Sequence, residues 1–574
     1  MYPGDKLEGM RSPLIVLLAA LHGLVIAGAL AADVPLTVKN GDFVSPRGYV
    51  SSDRCQSCHP KQYASWHRSY HRTMTQSVSP ETVVADFDAS LPKTYGLEQR
   101  DDKFWARFPD GAERQIIQST GSHHYQLYWY SSGVGNELRM FPFVWLKADA
   151  RWAPRISVFL TPPNQAEEPI VWNYHCLPCH STDGSPGYVP QAEGPAKPET
   201  RVAELGIACE ACHGPGAEHV EDEAANGMVH PAKISAERSA EVCGQCHSVN
   251  IPKNREGWAD WMLDGPVYKA GEALRDSRQV IDRHTAAESP LIQQLLSENP
   301  TQLDEWFWSD GEVRVTGREY NALIRSPCFQ GGEFSCLSCH SPHADDPDDL
   351  LRVSRGGNDG CVQCHGKFAG EALTRHTRHE ADSPGSRCYN CHMPNTVYGL
   401  LKATRSHEIT SPTAVSDVQS GRPNACSLCH LDRPVGWAAK QLAEGWGVDP
   451  PELSERQQTL AAGPVGLLTG DAGQRALWAW HMGWPSAQQA SKAAWMPPFL
   501  VPTLADPYDV VRYIALRSLR TISGFGDYQL DFVSVPSQPQ MESAGVEPEG
   551  APIPYSKIRE LLLERDDRPV KLAE

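Results

Sequence analysis

Residues 209–213 read Cys209-Glu210-Ala211-Cys212-His213, and the pattern Cys-x-x-Cys-His occurs eight times in this chain of 574 residues. The chain has 17 cysteines, and 16 of them belong to the eight copies. In chain order the copies are Cys55-Cys58-His59, Cys176-Cys179-His180, Cys209-Cys212-His213, Cys243-Cys246-His247, Cys336-Cys339-His340, Cys361-Cys364-His365, Cys388-Cys391-His392 and Cys426-Cys429-His430. In each copy a histidine directly follows the second cysteine, and the chemistry of the site has to explain this histidine.

Disulfide bonds and zinc sites both use cysteine, but neither requires a histidine at this position. Covalent attachment of haem does. Two thiols on one helical turn add to the two vinyl groups of a porphyrin, and the histidine then lies beneath the ring with a nitrogen on the iron. The sequence therefore predicts eight covalently bound haems c, each with the histidine of its motif as the proximal iron ligand.

The remaining histidines are candidates for the second, distal ligand of each iron. Thirteen lie outside the motifs and beyond the N-terminal segment, so we expect most irons to have two histidine ligands. A histidine close to one motif is better placed to serve a neighbouring haem than its own. The stronger candidates are His71, His219, His343, His379 and His407. A second group comprises His123, His124, His175, His230 and His284.

The charge of the chain restricts its partners. With 52 basic and 70 acidic residues the formal net charge is -18, which disfavours nucleic acid and favours redox proteins with basic surfaces. Hydrophobic residues make up 40% of the chain and the mean hydropathy is -0.43. This composition provides a small hydrophobic core, and large apolar cofactors would add to it. The oligomeric state is left open.

The N-terminus resembles an export signal. Lys6 and Arg11 precede an apolar run at 13–30, and Ala29-Leu30-Ala31 fits a signal-peptidase site. Residues 1–31 are thus expected to be a signal peptide, with an uncleaved anchor as the alternative because the run is long. No later stretch is apolar enough to span a bilayer, so we expect a periplasmic or extracellular protein without an integral membrane domain after cleavage.

The spacing of the motifs predicts a mainly α-helical fold with little regular structure. Residues 32–433 would wrap around the eight haems, and strand-like runs suggest a small antiparallel β insertion at about 83–162. Residues 434–525 contain no cysteine and resemble HEAT-type helical repeats. This region is either a docking surface or a scaffold that buries the last haem. Residues 526–574 are interpreted as a linker and a C-terminal helix.

Two features outside the motifs have ordinary interpretations. Cys328 is the one cysteine left over, and it is expected to be a buried, unreactive thiol rather than a ligand. The acidic run 345–349 offers carboxylates for Ca²⁺, although a solvated acidic loop is the more common meaning of such a run.

Residues 48–433 resemble the multihaem cytochromes with a cytochrome c-554-like domain, which are related to hydroxylamine oxidoreductase and the octahaem tetrathionate and nitrite reductases. The resemblance rests on 55–59 with Trp66 and 69–71, on 209–216 with His219, on 336–340 with His343, and on 388–394 and 422–426. It implies that His71, His219, His343, His379 and His407 are distal ligands and that the haems form a continuous chain. No Cys-x-x-Cys-Lys motif is present, which disfavours a nitrite reductase of the ammonia-forming kind.

Two functions follow from these expectations. The first is electron transfer through the chain of eight haems, between a donor and an acceptor that the sequence does not identify. The alternative is an oxidoreductase that acts on a small nitrogen or sulfur compound at one haem whose iron has an open position.

Overall fold

The computed structural model describes residues 45–163, 165, 169–222, 227–344, 346–348, 350–352, 357–534 and 551–572. The predicted signal peptide and part of the predicted C-terminal linker lie outside these residues. Helices and some sheet make up the described chain, with long stretches of turn and irregular backbone between them.

An antiparallel sheet of eight strands fills the segment between the first two motifs. The strands are β1 Thr75–Ser77, β2 Gly96–Arg100, β3 Lys103–Arg107, β4 Glu113–Thr120, β5 Tyr125–Ser131, β6 Leu138–Met140, β7 Phe143–Leu146 and β8 Arg151–Pro154. Their order is β2-β3-β4-β5-β7-β8, with β1 added to β4 and β6 added to β5. In β3, Phe104 and Ala106 alternate with more exposed neighbours and pack with Tyr128 and Trp152 in one aromatic cluster.

The region between residues 172 and 419 is built from short helices and two-stranded ladders. The ladders pair Ser181–Thr182 with Glu204–Leu205, Tyr188–Val189 with Lys197–Pro198, Asn250–Pro252 with Arg278–Val280, and Val397–Gly399 with Lys402–Thr404. Including two helices that follow the first motif, the α-helices are Pro60–His67, Tyr70–Thr73, Trp172–His175, Leu177–His180, Cys209–His213, Ala217–Glu221, Ala236–Gly244, Arg255–Asp264, Leu274–Ser277, Pro290–Glu298, Gln302–Trp306, Glu319–Leu323, Pro327–Gln330, Asp359–Val362, Glu371–Thr377, Cys388–His392 and Val415–Gln419. Such short elements bury little apolar surface each, and they meet in small hydrophobic clusters such as those around Phe307, Trp172 and Tyr268.

After the last motif the chain is helical. The helices are Val435–Trp446, Glu455–Thr459, Ala462–Thr469, Ala472–Gly483, Pro485–Ser491, Pro497–Thr503, Asp509–Arg520 and Ile558–Leu563. Their buried faces form the largest hydrophobic cluster of the described chain. That cluster also takes in Leu428 and Leu431 of the last motif region, Tyr398 of a short ladder, and Val144 of β7. The eighth motif is thus embedded in the helical region, and whether the helices are HEAT repeats stays a prediction.

Ser491 joins the helical region to the eighth motif by two hydrogen bonds. Its hydroxyl donates to the carbonyl of Cys429 at 2.7 Å and accepts from the backbone N–H of Leu431 at 2.8 Å. Within the described ranges, no helix is both long and apolar enough to cross a membrane.

A buried ion pair joins Arg475 of the helix Ala472–Gly483 to Asp506, which lies between the helices Pro497–Thr503 and Asp509–Arg520. The side chains are 1% and 2% exposed, and the guanidinium donates to both carboxylate oxygens at 2.6 and 3.0 Å. Replacing Arg475 with Ala leaves Asp506 buried without its cation, so we expect the free energy of unfolding of this region to fall by about 3–5 kcal/mol. Chemical denaturation followed by far-UV circular dichroism measures this loss.

The matched control is Arg456→Ala. Arg456 pairs with Glu564 at the surface, where both side chains are more than a third exposed, so its loss should cost less than about 1 kcal/mol. Equal effects of the two substitutions would contradict a special contribution from the buried pair.

Candidate haem-binding sites

Every motif folds so that its two cysteines and its histidine share one helical turn. In Cys55–His59 the backbone N–H of His59 donates to the carbonyl of Cys55 at 2.8 Å, and the same bond closes the motifs that end at His180, His247, His340, His365 and His430. The motifs at Cys209–His213 and Cys388–His392 are themselves short α-helices. All 17 cysteines are free thiols, so the sixteen thiols of the motifs are available for attachment to porphyrin.

Six proximal histidines each face another imidazole across a gap of constant width. The distances between ring centroids are 6.5 Å for His59 and His219, 6.4 Å for His213 and His343, 6.3 Å for His71 and His247, 6.4 Å for His340 and His407, 6.2 Å for His376 and His392, and 6.3 Å for His379 and His430. Rings stacked face to face in direct contact lie closer, as His123 and His124 do at 3.9 Å.

The width of the gap fits an iron ion between two imidazoles. A metal–nitrogen bond is about 2 Å long, and the nitrogen lies about 1.2 Å from its ring centroid, so two imidazoles on opposite sides of one iron would have their centroids about 6.4 Å apart. The observed separations of 6.2–6.5 Å agree with this value. The residues present therefore fit haem iron with two histidine ligands at six of the eight motifs.

The five stronger distal candidates all take part in these pairs. His219, which follows the third motif, faces the first motif, and His343, which follows the fifth, faces the third. His71, His379 and His407 face the fourth, eighth and fifth motifs. The sixth pair uses His376, which the sequence reasoning left out of both candidate groups. His376 lies on the helix Glu371–Thr377, three residues before His379, and this closeness to a stronger candidate is the feature of the sequence that pointed to it.

His213 has two histidine neighbours at the same distance. His343 and His230 both lie 6.4 Å from its ring centroid. Nδ1 of His213 is bonded to the carbonyl of Val229 at 2.7 Å, and Val229 directly precedes His230. His230 is thus on the Nδ1 side, and His343 is the better partner for an iron bound through Nε2.

The other members of the second candidate group do not face a proximal histidine. His123 stacks on Tyr70 at 4.2 Å and on His124, and its Nε2 lies 3.2 Å from the Asp348 carboxylate. The ring nitrogens of His175 and His284 lie 3.0 and 3.1 Å from backbone carbonyls.

The proximal residues His180 and His365 have no imidazole at the bis-histidine distance among the described residues, which include every histidine except His22. Their surroundings differ. His180 is partly covered, its Nδ1 lies 3.2 Å from the hydroxyl of Thr75, and burial lowers its pKa to about 4. His365 is exposed, as is the neighbouring thiol of Cys364.

Hydrogen bonds at Nδ1 orient several of the paired rings and leave Nε2 for iron. The acceptors are backbone carbonyls for His392, His407 and His379, at 3.0, 3.2 and 2.6 Å. His247 differs, because its Nδ1 lies 2.8 Å from a carboxylate oxygen of Glu319.

Glycine allows two distal histidines to reach their positions. Gly206 has φ +75°, and a Cβ there would lie 3.0 Å from the carbonyl of His71 and 2.5 Å from that of Arg72. At Gly385 a Cβ would lie 2.2 Å from the ring of His379. Both positions need the absence of a side chain.

Thiols of different motifs lie against one another. Four hydrogen-bonded pairs are Cys55 with Cys209, Cys179 with Cys246, Cys243 with Cys336, and Cys361 with Cys388. Three further pairs interact electrostatically, namely Cys212 with Cys243, Cys339 with Cys361, and Cys391 with Cys426. These contacts connect the motifs in the order 1-3-4-5-6-7-8, and the second motif branches from the fourth.

Cys328 and the acidic run take no part in the pairs. Burial raises the pKa of Cys328, which also feels the thiol of Cys364. In the acidic run, Asp348 lies against His123, and residues 345 and 349 fall outside the described residues. No group of three or more metal-binding side chains is found within the described ranges, and calcium binding stays an untested prediction.

Comparisons with known proteins agree with the site chemistry. The family model for the doubled CXXCH motif matches residues 327–370, and the model for cytochrome c554 and c-prime matches residues 54–101. The two matches fall on motifs with attachment thiols and proximal histidines, and they support a c-type cytochrome with several haems.

Individual relatives cover parts of the chain. The multihaem cytochrome MtrA of Shewanella baltica is 26% identical over 35% of this chain and 55% of its own length. The cytochrome c-type protein NrfB of Escherichia coli is 27% identical over 28% of this chain and 64% of its own length. The chain thus spans less than two thirds of these relatives. The crystal structure of the outer cell wall cytochrome OcwA aligns over 83% of this chain and 99% of its own, with 19% identity and a TM-score of 0.49.

The assignment of His376 gives a direct spectroscopic prediction. Replacing His376 with Ala should leave the iron bound by His392 with one imidazole, and convert one low-spin haem to high spin. Low-temperature EPR of the oxidised protein measures the change. In the control His284→Ala, the lost ring contacts only a backbone carbonyl and the spectrum should not change. An unaltered spectrum for His376→Ala would contradict the assignment.

Proposed function

We propose that this chain binds eight haems c and conducts electrons along them between redox partners outside the cytoplasm. The proposal is carried by the series of neighbouring thiols from different motifs, four pairs of them hydrogen-bonded and three pairs near enough to interact electrostatically. Each thiol is the point where the rim of a porphyrin would join the chain. Neighbouring thiols would therefore bring porphyrin rims close together, which is the condition for fast electron exchange.

The paired imidazoles support a carrier rather than an enzyme at six of the eight positions. An iron with two histidine ligands has no free position for a substrate, and its chemistry is the gain and loss of one electron. Bis-histidine haems also have lower reduction potentials than haems with a methionine ligand. Six such sites, with the unpaired sixth motif between the fifth and the seventh, suit a low-potential relay.

Localisation and partners follow from the sequence. The apolar run 13–30 with Ala29-Leu30-Ala31 supports export to the periplasm or the cell exterior. Haem would be attached covalently to the thiols of the motifs there. A formal charge of -18 favours partner proteins with basic surfaces around their own redox centres. The contacts of Ser491 with the eighth motif favour a scaffold role for residues 434–525.

The proposed order of haems predicts which one is essential for conduction. The double substitution Cys243→Ala and Cys246→Ala removes the fourth attachment site, the only link between motifs 1 to 3 and motifs 5 to 8. After rapid partial reduction, electrons should then equilibrate slowly within the protein, as measured by stopped-flow absorption. The matched control, Cys426→Ala with Cys429→Ala, removes the terminal eighth site and should leave equilibration among the others fast. Equal rates in the two variants would contradict the order.

A second candidate function rests on His180. Its imidazole has no histidine partner and is partly covered, whereas the similarly unpaired His365 is exposed. A sheltered iron with an open position suits a small inorganic nitrogen or sulfur compound as substrate, since water is partly excluded there. The second motif also branches from the fourth, so electrons could reach such a site from the relay.

This candidate predicts a ligand response that depends on the second motif. Adding cyanide, nitrite or sulfite to the oxidised protein should change the high-spin EPR signal, and the change should disappear when Cys176 and Cys179 are both replaced with Ala. The same double substitution at Cys361 and Cys364 is the control for the exposed site. If no added ligand alters the spectrum, the protein acts as a carrier alone.

A further inference from the structure

We infer that Glu319 lowers the reduction potential of the haem at the fourth motif, the junction of the relay, through its bond to His247. The inference rests on the proposed function, because it requires a haem at this motif. It assigns to Glu319 a positioning and tuning role rather than a catalytic one.

The contact between Glu319 and His247 is direct. One carboxylate oxygen, Oε2, lies 2.8 Å from Nδ1 of His247, and the backbone N–H of Tyr320 donates to the His247 carbonyl at 2.9 Å. Glu319 begins the helix Glu319–Leu323, so a single helix end holds the histidine by both its ring and its backbone.

The carboxylate is fixed on its other side as well. Oε1 accepts the backbone N–H of Gly317 at 2.9 Å and the hydroxyl of Thr316 at 3.2 Å. These donors hold the charge in place beside the ring. The geometry therefore does not depend on a mobile surface side chain.

A carboxylate at Nδ1 makes an imidazole more basic and a stronger donor to metal than a neutral acceptor does. A stronger donor, together with a nearby negative charge, stabilises ferric over ferrous iron and lowers the potential. At three other proximal rings Nδ1 has a neutral partner, a backbone carbonyl for His213 and His392 and a hydroxyl for His180. Only His247 has a carboxylate among these four.

The position of the fourth motif makes this tuning consequential. Its thiols are hydrogen-bonded to those of the second and fifth motifs and interact electrostatically with a thiol of the third, so every route along these pairs between the two ends passes through it. Glu319 also interacts electrostatically with His407, the distal histidine of the fifth site. With a low potential, the haem at the fourth motif would pass electrons on, and the haems of the neighbouring motifs would hold them at equilibrium.

The test is Glu319→Gln in the full-length haem-loaded protein, with the haem-to-protein ratio measured first. The amide keeps the shape of the side chain and removes the charge. We expect the reduction equilibrium of one haem to shift tenfold or more toward the ferrous state, which is about 59 mV for one electron. Potentiometry monitored by optical absorption and EPR measures it. Glu319→Asp keeps the charge, so the potential should stay closer to that of the unmodified protein than in Glu319→Gln. The control is Glu113→Gln, which removes the same charge from an exposed ion pair and should not shift the potential.

Each outcome decides between the alternatives. With the haem ratio unchanged, potentials identical to those of the unmodified protein would overturn the inference and leave the relay intact. A haem ratio below eight in the unmodified protein would instead overturn the proposed function. If Glu319→Gln binds less haem, Thr316→Val provides the test. This substitution removes one hydrogen-bond donor from the Glu319 carboxylate, so the bond of the carboxylate to His247 should strengthen and the potential of the same haem should fall. An unchanged potential in Thr316→Val would also overturn the inference.

Discussion

The fold depends on the placement of a second imidazole opposite six of the eight proximal histidines. A motif supplies two thiols and one ligand within a single helical turn, but a distal ligand has to come from another segment. His219 reaches back to the first motif and His71 reaches forward to the fourth. Each such pair would close a long loop of chain through one metal ion, and loops of this kind are costly in conformational entropy unless a strong bond closes them.

This constraint explains the irregular middle of the molecule. Helices of four or five residues, such as Cys209–His213 and Ala217–Glu221, do not form independently in water. They would be held where ligands at their ends bind iron and where their thiols bond to porphyrin. The aromatic sheet and the C-terminal helices contribute large hydrophobic clusters, so they can support the wrapped region.

Much of the site could be predicted from the sequence because its chemistry is local. The attachment thiols and proximal histidines follow from the pattern alone, and helical turns at all eight motifs agree with it. Distal ligands were harder, since pairing depends on tertiary distance. His376 was missed because its place three residues before His379 does not tell which motif its ring faces. His230 and His343 could be separated only by the bond of His213 to Val229. The Glu319–His247 contact joins distant segments and left no signal in the sequence.

The positions of the irons test the account most directly. Anomalous X-ray scattering at the iron edge, from crystals of the haem-loaded protein, would locate each iron without reference to the chain. The account predicts eight irons, six of them midway between the paired imidazoles and two beside His180 and His365 with no second imidazole. Fewer than eight irons, or an iron that lies outside the six imidazole gaps while one of those gaps is empty, would contradict it.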